Sequence, residues 1–213
     1  MAIFFLLFSV FCDILKKNHQ EEAGYMYKIC HTQQSAQRQR ELEAGLLNAL
    51  AQQPYSKIAL TDLCRALKVP RKTFYRYFPT KDDCLLSLID HTLSDCNDLA
   101  LMGWSGGRTL DSQAQLRFFR YWREHASLLD AIRDNGMQSL LLERTSVIVD
   151  RMKENTASPS FARDQMEYFI AHGLMYTVIR WHQFGFPCTP EELAAVFEDL
   201  LSADRVSLSR LLL

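Results

Sequence analysis

Residues 58–85 read IALTDLCRALKVPRKTFYRYFPTKDDCL and contain the clearest structural pattern of the sequence. Its first part predicts a short helix, which Thr61 can cap through its side-chain oxygen. The apolar residues of this helix are spaced three and four apart, as on one helical face; they are Leu63, Ala66 and Leu67. Lys68 and Val69 then lead to Pro70, which suits the first position of a second helix because its φ is already helical and it has no N–H to leave unbonded.

The second helix is predicted over residues 70–78, with one buried side and one exposed side. Phe74 and Phe78 are four residues apart, so both can face the core. The other faces carry basic and hydroxyl groups; they are Arg71, Lys72, Thr73, Tyr75 and Arg76. A short helix with such a face fits the major groove of DNA, so the stretch predicts a helix-turn-helix.

This pattern resembles the DNA-binding domain of the tetracycline-repressor (TetR) family over roughly residues 38–90. The family pattern is carried here by Leu63, Cys64, Val69, Thr73, Phe74, Tyr75, Phe78, Lys81 and, one place later than usual, Cys84 and Leu85. The family usually has Gly where this chain has Lys68, and a non-Gly residue with positive φ costs on the order of 1 kcal/mol. The family often has Ser, as a helix cap, at the position of Pro70.

The resemblance implies an all-α protein: an N-terminal three-helix helix-turn-helix DNA-binding domain plus a larger helical regulatory and dimerisation domain. We predict an N-terminal extension over residues 1–34, the DNA-binding domain over residues 35–82, and the helical ligand-binding and dimerisation domain over residues 83–213. The implied function is sequence-specific transcriptional regulation, most often repression, by a homodimer on a near-palindromic operator in double-stranded DNA. In the family the last two long helices form the dimer, and residues 160–184 and 190–202 have the order, length and apolar excess for that role.

Candidate DNA contacts are the polar and basic residues of the motif: Thr61, Arg71, Lys72, Thr73, Tyr75, Arg76, Tyr77 and Lys81. Position at the start of the second helix favours Arg71, Lys72 and Thr73 for base edges in the groove. The family counterparts of Tyr75, Tyr77 and Lys81 contact phosphates, and we place Thr61 beside them. An ordinary solvated helix face is the alternative for five of these residues, Arg71, Lys72, Thr73, Tyr75 and Arg76.

Candidate effector-pocket residues are mostly aromatic or apolar side chains of the predicted body: Phe118, Trp122, His125, Met137, Leu141, Tyr168, His172, Met175 and Tyr176. The alternative, plain core and dimer interface, is favoured for any single member of this set. A small-molecule effector that binds the C-terminal domain is expected only from the resemblance to the family. A second alternative for the whole protein is a TetR-like coregulator that acts through a protein partner, but the predicted recognition helix keeps its basic residues.

The charge distribution agrees with a DNA-binding head on a different kind of body. The 213 residues carry a net charge of −1. Residues 27–90 contain ten Lys and Arg against six Asp and Glu, whereas residues 91–213 contain twelve against sixteen. A basic N-terminal module on an acidic body is typical of nucleic-acid binding by the basic part. Uneven surface charge without a function is the alternative.

No motif in the sequence indicates catalysis. The six cysteines are scattered, without the Cys and His spacing of a zinc site, and suit a reducing cytoplasm. A nucleophile elbow, a Gly-rich phosphate loop and paired catalytic acids are all missing from the sequence. We therefore expect no catalytic residue, no metal site, no cofactor and a cytoplasmic location.

The N-terminal residues 2–12, AIFFLLFSVFC, are almost continuously apolar. A membrane-spanning helix needs about 20 residues, and the stretch lacks the flanks of a signal peptide. We interpret residues 1–25 as an upstream extension before a start at Met26, and we expect no membrane association. The alternative is a hydrophobic helix that packs on the body or tethers the protein to a membrane surface.

Periodicity and end signals divide the rest of the chain into helices. The predicted helices cover residues 38–52, 81 to about 102, 110–134 in two pieces near residues 124–125, 137 to about 155, 160–184 and 190–202. Capping boxes are predicted at Thr80 with Asp83 and at the Thr189 helix start. Gly136 is predicted as a helix stop, and a loop is expected at residues 103–107.

Overall fold

The computed structural model describes Tyr27, Cys30 and residues 32–100, 112–153 and 161–202. The apolar N-terminal stretch, the start at Met26, the loop at residues 103–107 and the C-terminal tail lie outside the described residues. Across the described ranges the secondary structure is helical and contains no strand, which confirms the all-α prediction.

The helices, numbered in chain order within this part, are α1 (Gln33–Leu50), α2 (Leu60–Ala66), α3 (Arg71–Tyr75), α4 (Lys81–Ala100), α5 (Ser112–Glu124), α6 (Ala126–Asp134), α7 (Gln138–Lys153), α8 (Phe161–Gln183) and α9 (Pro190–Ser202). A 3₁₀ turn, Tyr55–Lys57, lies between α1 and α2.

Helix α1 begins at Gln33, earlier than the predicted start at Arg38. The Oγ1 of Thr32 accepts a hydrogen bond from the backbone N–H of Ser35 at 3.2 Å and so caps the helix. The added residues are mostly polar, so the repeat of apolar residues could not indicate that the helix extends over them.

The prediction that Thr61 caps α2 is wrong. The helix begins at Leu60, and the carbonyl of Ala59 accepts from the N–H groups of Asp62 and Leu63 at 3.0 and 3.1 Å. Thr61 is therefore an exposed residue inside the first turn. Ile58, only 3% exposed, packs in the core immediately before Ala59, so the helix starts directly after this buried anchor.

The turn between α2 and α3 is a Schellman motif with Lys68 in the left-handed conformation. The N–H of Val69 donates to the carbonyl of Cys64 at 3.0 Å, and the N–H of Lys68 donates to the carbonyl of Arg65 at 3.1 Å. Lys68 has φ +53°, as the comparison with the family's Gly predicted. Gly136, with φ +66°, ends α6 through the same pair of bonds, which confirms the predicted helix stop.

Two predictions about α3 need correction. Pro70, with φ −62° and ψ 142°, is extended and precedes the helix, instead of being its first residue. The helix ends at Tyr75, and the chain continues to Phe78 as a turn in which the N–H groups of Tyr77 and Phe78 donate to the carbonyl of Phe74. The turn directs Phe78 into the core before Pro79 and the next helix.

Both predicted capping boxes are present. The N–H of Asp83 donates to Oγ1 of Thr80 at 3.1 Å, and the N–H of Thr80 donates to Oδ2 of Asp83 at 2.9 Å. Thr189 and Glu192 exchange the equivalent bonds at 3.2 and 2.7 Å. The break between α5 and α6 is confirmed at His125, whose ring stacks on that of Tyr121 at 3.9 Å.

Helix α4 is the central helix of the molecule. It packs against α1 of the head and against α5 and α7 of the body, while α8 packs on α7 and α9 packs on α5. One continuous apolar core extends from Phe74 and Phe78 in the head to Trp122 and Met175 in the body. The head and the body therefore pack on each other through a shared apolar core.

Candidate nucleic-acid interface

Helix α3 is anchored by its aromatic side and exposes its basic side. Phe74 and Phe78 are both 0% exposed, and their ring centroids lie 5.4 Å apart. This aromatic pair fixes the rotation of α3 about its axis. The side chains left at the surface of this segment include Arg71, Lys72 and Arg76, with Tyr75 46% exposed and Thr73 half-buried.

Two arginine–tyrosine pairs give the surface of this segment its geometry. Nη2 of Arg71 donates to Oη of Tyr75 at 2.9 Å, and Cζ of Arg71 lies 5.6 Å from the centre of the Tyr75 ring. This hydrogen bond to Tyr75 raises the pKa of the Arg71 guanidinium, which stays charged. Nη2 of Arg76 donates to Oη of Tyr77 at 3.1 Å, and its Cζ lies 5.1 Å from that ring.

Tyr77 and Lys81, both predicted phosphate contacts, are more enclosed than the helix face. Tyr77 is 3% exposed. The Lys81 ammonium donates to the carbonyls of Tyr55 and Ile58 at 2.8 and 2.9 Å and lies 3.9 Å from the centre of the Tyr55 ring. An ammonium has three donors, so these two bonds leave one N–H for another acceptor. The sequence did not indicate that Lys81, at the start of α4, also makes hydrogen bonds to the backbone of the 3₁₀ turn and of Ile58 after it.

A contact between head and body was not predicted at all. The backbone N–H of Tyr55 donates to Oδ1 of Asn135 at 2.6 Å, across 80 positions of sequence. The phenol of Tyr55 donates to the carboxylate of Asp82. Burial first, and then this hydrogen bond to Asp82, raises the pKa of the Tyr55 phenol. No sequence signal could pair Asn135 with Tyr55, because neither residue belongs to a motif shared with the other.

The predicted effector-pocket residues differ widely in their exposure to solvent. Trp122, Leu141 and Met175 are core residues no more than 2% exposed, whereas Tyr176 is 56% exposed. The remaining members are half-buried; they are Phe118, His125, Met137, Tyr168 and His172.

Tyr168 and His172 both make hydrogen bonds to side chains of α7. The Tyr168 phenol donates to Asp150, and Nε2 of His172 lies 3.0 Å from Oγ of Ser146. A recess between α6, α7 and α8 has a volume of about 10 Å³, room for roughly one water. Its lining includes Leu129 and His182 and none of the predicted residues. The effector pocket therefore stays a prediction.

Metal and membrane chemistry receive no support from the described ranges. Within them, no cluster of three or more His, Cys, Asp or Glu residues could hold a metal ion. None of the helices that the structure describes combines the length and apolarity needed to cross a bilayer.

Comparison with known proteins identifies the head. Residues 44–88 match the family model described as bacterial regulatory proteins, tetR family. The HTH-type transcriptional regulator EthR of Mycobacterium tuberculosis is 26% identical over 158 residues, a match that covers 55% of this chain and 73% of the relative. EthR of Mycobacterium bovis matches with the same figures.

Two solved structures are similar in fold. The dihydroxyacetone kinase operon activator DhaS has a TM-score of 0.52 at 18% identity, covering 76% of this chain and 93% of its own. Lin0861 from Listeria innocua has a TM-score of 0.56 at 16% identity, covering 83% and 97%. At these identities the two structures show the fold alone.

A helix-turn-helix with a basic, exposed second helix, mounted on a helical body, defines a DNA-binding protein. The match at residues 44–88 and the similarity to EthR narrow the class of DNA-binding protein to transcriptional regulators. The chain is a DNA-binding transcriptional regulator whose residues 44–88 match the TetR family, and the members of that family generally bind DNA operators, typically dimerise and are generally not enzymes.

Proposed function

We propose that the protein is a cytoplasmic, homodimeric repressor that binds a near-palindromic operator through α3 of each subunit. The observation that carries this proposal is the orientation of α3, which buries Phe74 completely and leaves Arg71 and Lys72 at the surface. Basic side chains at the first positions of a recognition helix are suited to base edges in the major groove. Repression follows when the occupied operator excludes polymerase from the promoter.

An exposed apolar stripe on α8 supports the dimer. Met166, Phe169 and Tyr176 are 56, 74 and 56% exposed, and their spacings of three and seven residues place them on one helical face. Gly173 lies on the same face, and a Cβ there would meet nothing within 4 Å. Such a face allows another helix to approach closely, and burial in a dimer would remove these side chains from water.

Dimerisation also gives the operator its symmetry. Two copies related by a two-fold axis present two α3 helices to the same side of DNA, so the half-sites must be one helical turn, or a multiple of it, apart. An effector could release such a dimer only by binding its DNA-bound and free conformations with unequal affinity.

DNA binding is tested by selecting sites from a randomised duplex pool with the purified wild-type protein and an Arg71→Ala, Lys72→Ala variant. The control variant Arg117→Ala, Arg120→Ala removes the same charge from α5. We expect the wild type and the control to enrich one two-fold symmetric site, and the α3 variant to lose it, because each base contact is worth about 5- to 150-fold in affinity.

Absence of enrichment at low salt, where phosphate attraction is strongest, would contradict the proposal and favour a coregulator that acts through a protein partner. The sign of regulation is tested with a reporter promoter that carries the selected site. Higher transcription after deletion of the gene is expected for a repressor, whereas lower transcription would identify an activator.

The dimer is tested by analytical ultracentrifugation of Phe169→Asp, with Ser139→Asp on α7 as a charge-matched surface control. We expect the control to sediment as a dimer. The Phe169→Asp variant should shift towards monomer, because two carboxylates would be brought into an apolar interface. A Phe169→Asp variant that remains dimeric at the lowest measurable concentration would place the interface elsewhere.

A further inference from the structure

The pair formed by Arg71 and Tyr75 has a geometry that bears on which base the operator must contain. Arg71 is the first residue of α3, and Tyr75 lies one helical turn further along the same face. The single hydrogen bond from Nη2 of Arg71 to Oη of Tyr75, at 2.9 Å, occurs between two exposed side chains. Tyr75 therefore restrains a guanidinium that would otherwise be free to rotate in water.

We propose that Arg71 reads a guanine in each half of the operator, and that Tyr75 is the positioning residue that orients its guanidinium for this contact. This inference rests on the proposed function, and it names the base that the recognition helix selects. Guanine presents two acceptors, O6 and N7, on its major-groove edge, whereas adenine presents one acceptor and one donor there.

The bond to Tyr75 leaves Arg71 able to make this contact. A guanidinium has two edges with paired, parallel N–H donors, one formed by Nε and Nη2 and the other by Nη1 and Nη2. Because Nη2 carries two hydrogens, its bond to Oη of Tyr75 uses the hydrogen of one edge only. The other edge keeps both donors, and two parallel donors match O6 and N7 of guanine.

The other basic residues of α3 and the following turn are less suited to this role. Arg76 lies after the helix end, and its guanidinium donates to Tyr77, which is 3% exposed, so it is held close to an enclosed side chain. Lys72 carries a compact ammonium without a planar pair of donors, so it cannot make the same two-point contact. Arg71 is thus the residue whose shape and restraint both fit a guanine edge.

The experiment uses the full-length dimer and the operator that it selects. Each guanine in a half-site is replaced in turn by 7-deazaguanine, which lacks N7, or by hypoxanthine, which keeps both O6 and N7. We expect one guanine position per half-site at which 7-deazaguanine weakens wild-type binding about 5- to 150-fold while hypoxanthine has little effect. Arg71→Ala should be equally weak with guanine and with 7-deazaguanine at that position.

The role of Tyr75 is tested with Tyr75→Phe, which keeps the ring and removes only the hydroxyl. We expect a loss of about 2- to 10-fold that is confined to the guanine position read by Arg71. A phosphate contact by Tyr75 would behave differently, because its loss weakens all sequences alike and lowers the salt dependence. Arg76→Ala is the control, and it should leave the preference at this position unchanged.

The two proposals fail in distinguishable ways. If the wild type selects no site, the proposed DNA-binding function is wrong and this inference falls with it. If a symmetric site is selected but Arg71→Ala alters the preference at no guanine position, only the base assignment is overturned. If Tyr75→Phe weakens every sequence equally, Tyr75 is a phosphate contact instead of a positioning residue.

Discussion

Substitution of Arg144 by Met should destabilise the protein strongly, because Arg144 neutralises a carboxylate inside the core. Nε and Nη2 of Arg144 donate to the two oxygens of Asp90 at 2.7 and 2.6 Å, and the phenol of Tyr27 donates to the same carboxylate at 2.6 Å. The Asp90 side chain is 1% exposed, and that of Arg144 is 14% exposed. Removal of the guanidinium therefore leaves a negative charge where water cannot replace it.

The expected cost is about 3–5 kcal/mol, the range for breaking a buried ion pair from one side. This is a large part of a typical unfolding free energy of about 5–15 kcal/mol. For a chain of this size it corresponds to a fall of roughly 6–20 °C in the melting temperature. The assay is chemical denaturation at one fixed protein concentration, because the proposed dimerisation would make apparent stability depend on concentration.

The matched control is Arg40→Met. Arg40 also pairs with a carboxylate of α4, that of Asp95 at 2.9 Å, but the two side chains are 41 and 45% exposed. Water can solvate both groups after the substitution, so the expected change is at most about 1 kcal/mol. A second variant, Asp90→Leu with Arg144→Met, should recover much of the loss because no buried charge remains. Equal costs for Arg144→Met and Arg40→Met, or no recovery in the double variant, would show that the buried charge of Asp90 does not depend on Arg144 for its stabilisation.

Three further predictions follow from the backbone and from buried titratable groups. Lys68→Gly should raise the unfolding free energy, measured by chemical denaturation, by up to about 1 kcal/mol, because the strain relieved at the positive φ is larger than the entropic cost of ordering a glycine. The control Arg65→Gly, inside α2, should lower the unfolding free energy by about the same amount. Burial raises the pKa of the Cys96 thiol, so alkylation followed by mass spectrometry should label the half-buried Cys188 in the native protein and Cys96 only after unfolding. Because the pKa of Tyr55 is raised in the folded protein, its contribution to stability is complete below the unfolded pKa of about 10 and declines above it. Between about pH 9 and 11 the unfolding free energy measured by denaturation should therefore fall less steeply for Tyr55→Phe than for the wild type. Equal slopes would contradict this assignment.

The confirmed predictions about helix ends depend on interactions between near neighbours. The capping box of Thr80 with Asp83, the stop at Gly136 and the break at His125 each involve residues within a few positions of one another. Such bonds are made by any chain that has those residues at that spacing, so a sequence pattern is enough to predict them. The positive φ of Lys68 belongs to the same group, although the residue type argued against it.

The wrong predictions have a different origin. Thr61 has the chemistry of a helix cap, but the helix starts earlier because the burial of Ile58 decides where the chain enters α2. Pro70 has the φ of a first helical residue, but an extended ψ places it before α3. In both cases a local preference was overridden by how the segment packs on the rest of the head, which a propensity scale does not contain.

The helical class, the helix-turn-helix and the basic residues of α3 could be predicted from the amino-acid sequence, because these features follow from spacing within about 30 residues. The sequence did not predict which groups meet across the chain, such as Asn135 with Tyr55 and Arg144 with Asp90. The structure also decided which predicted contact residues are enclosed, as Tyr77 and Lys81 are. The physical reason is that such contacts depend on how whole helices pack on a shared core, and that packing is set by all of their apolar surfaces together.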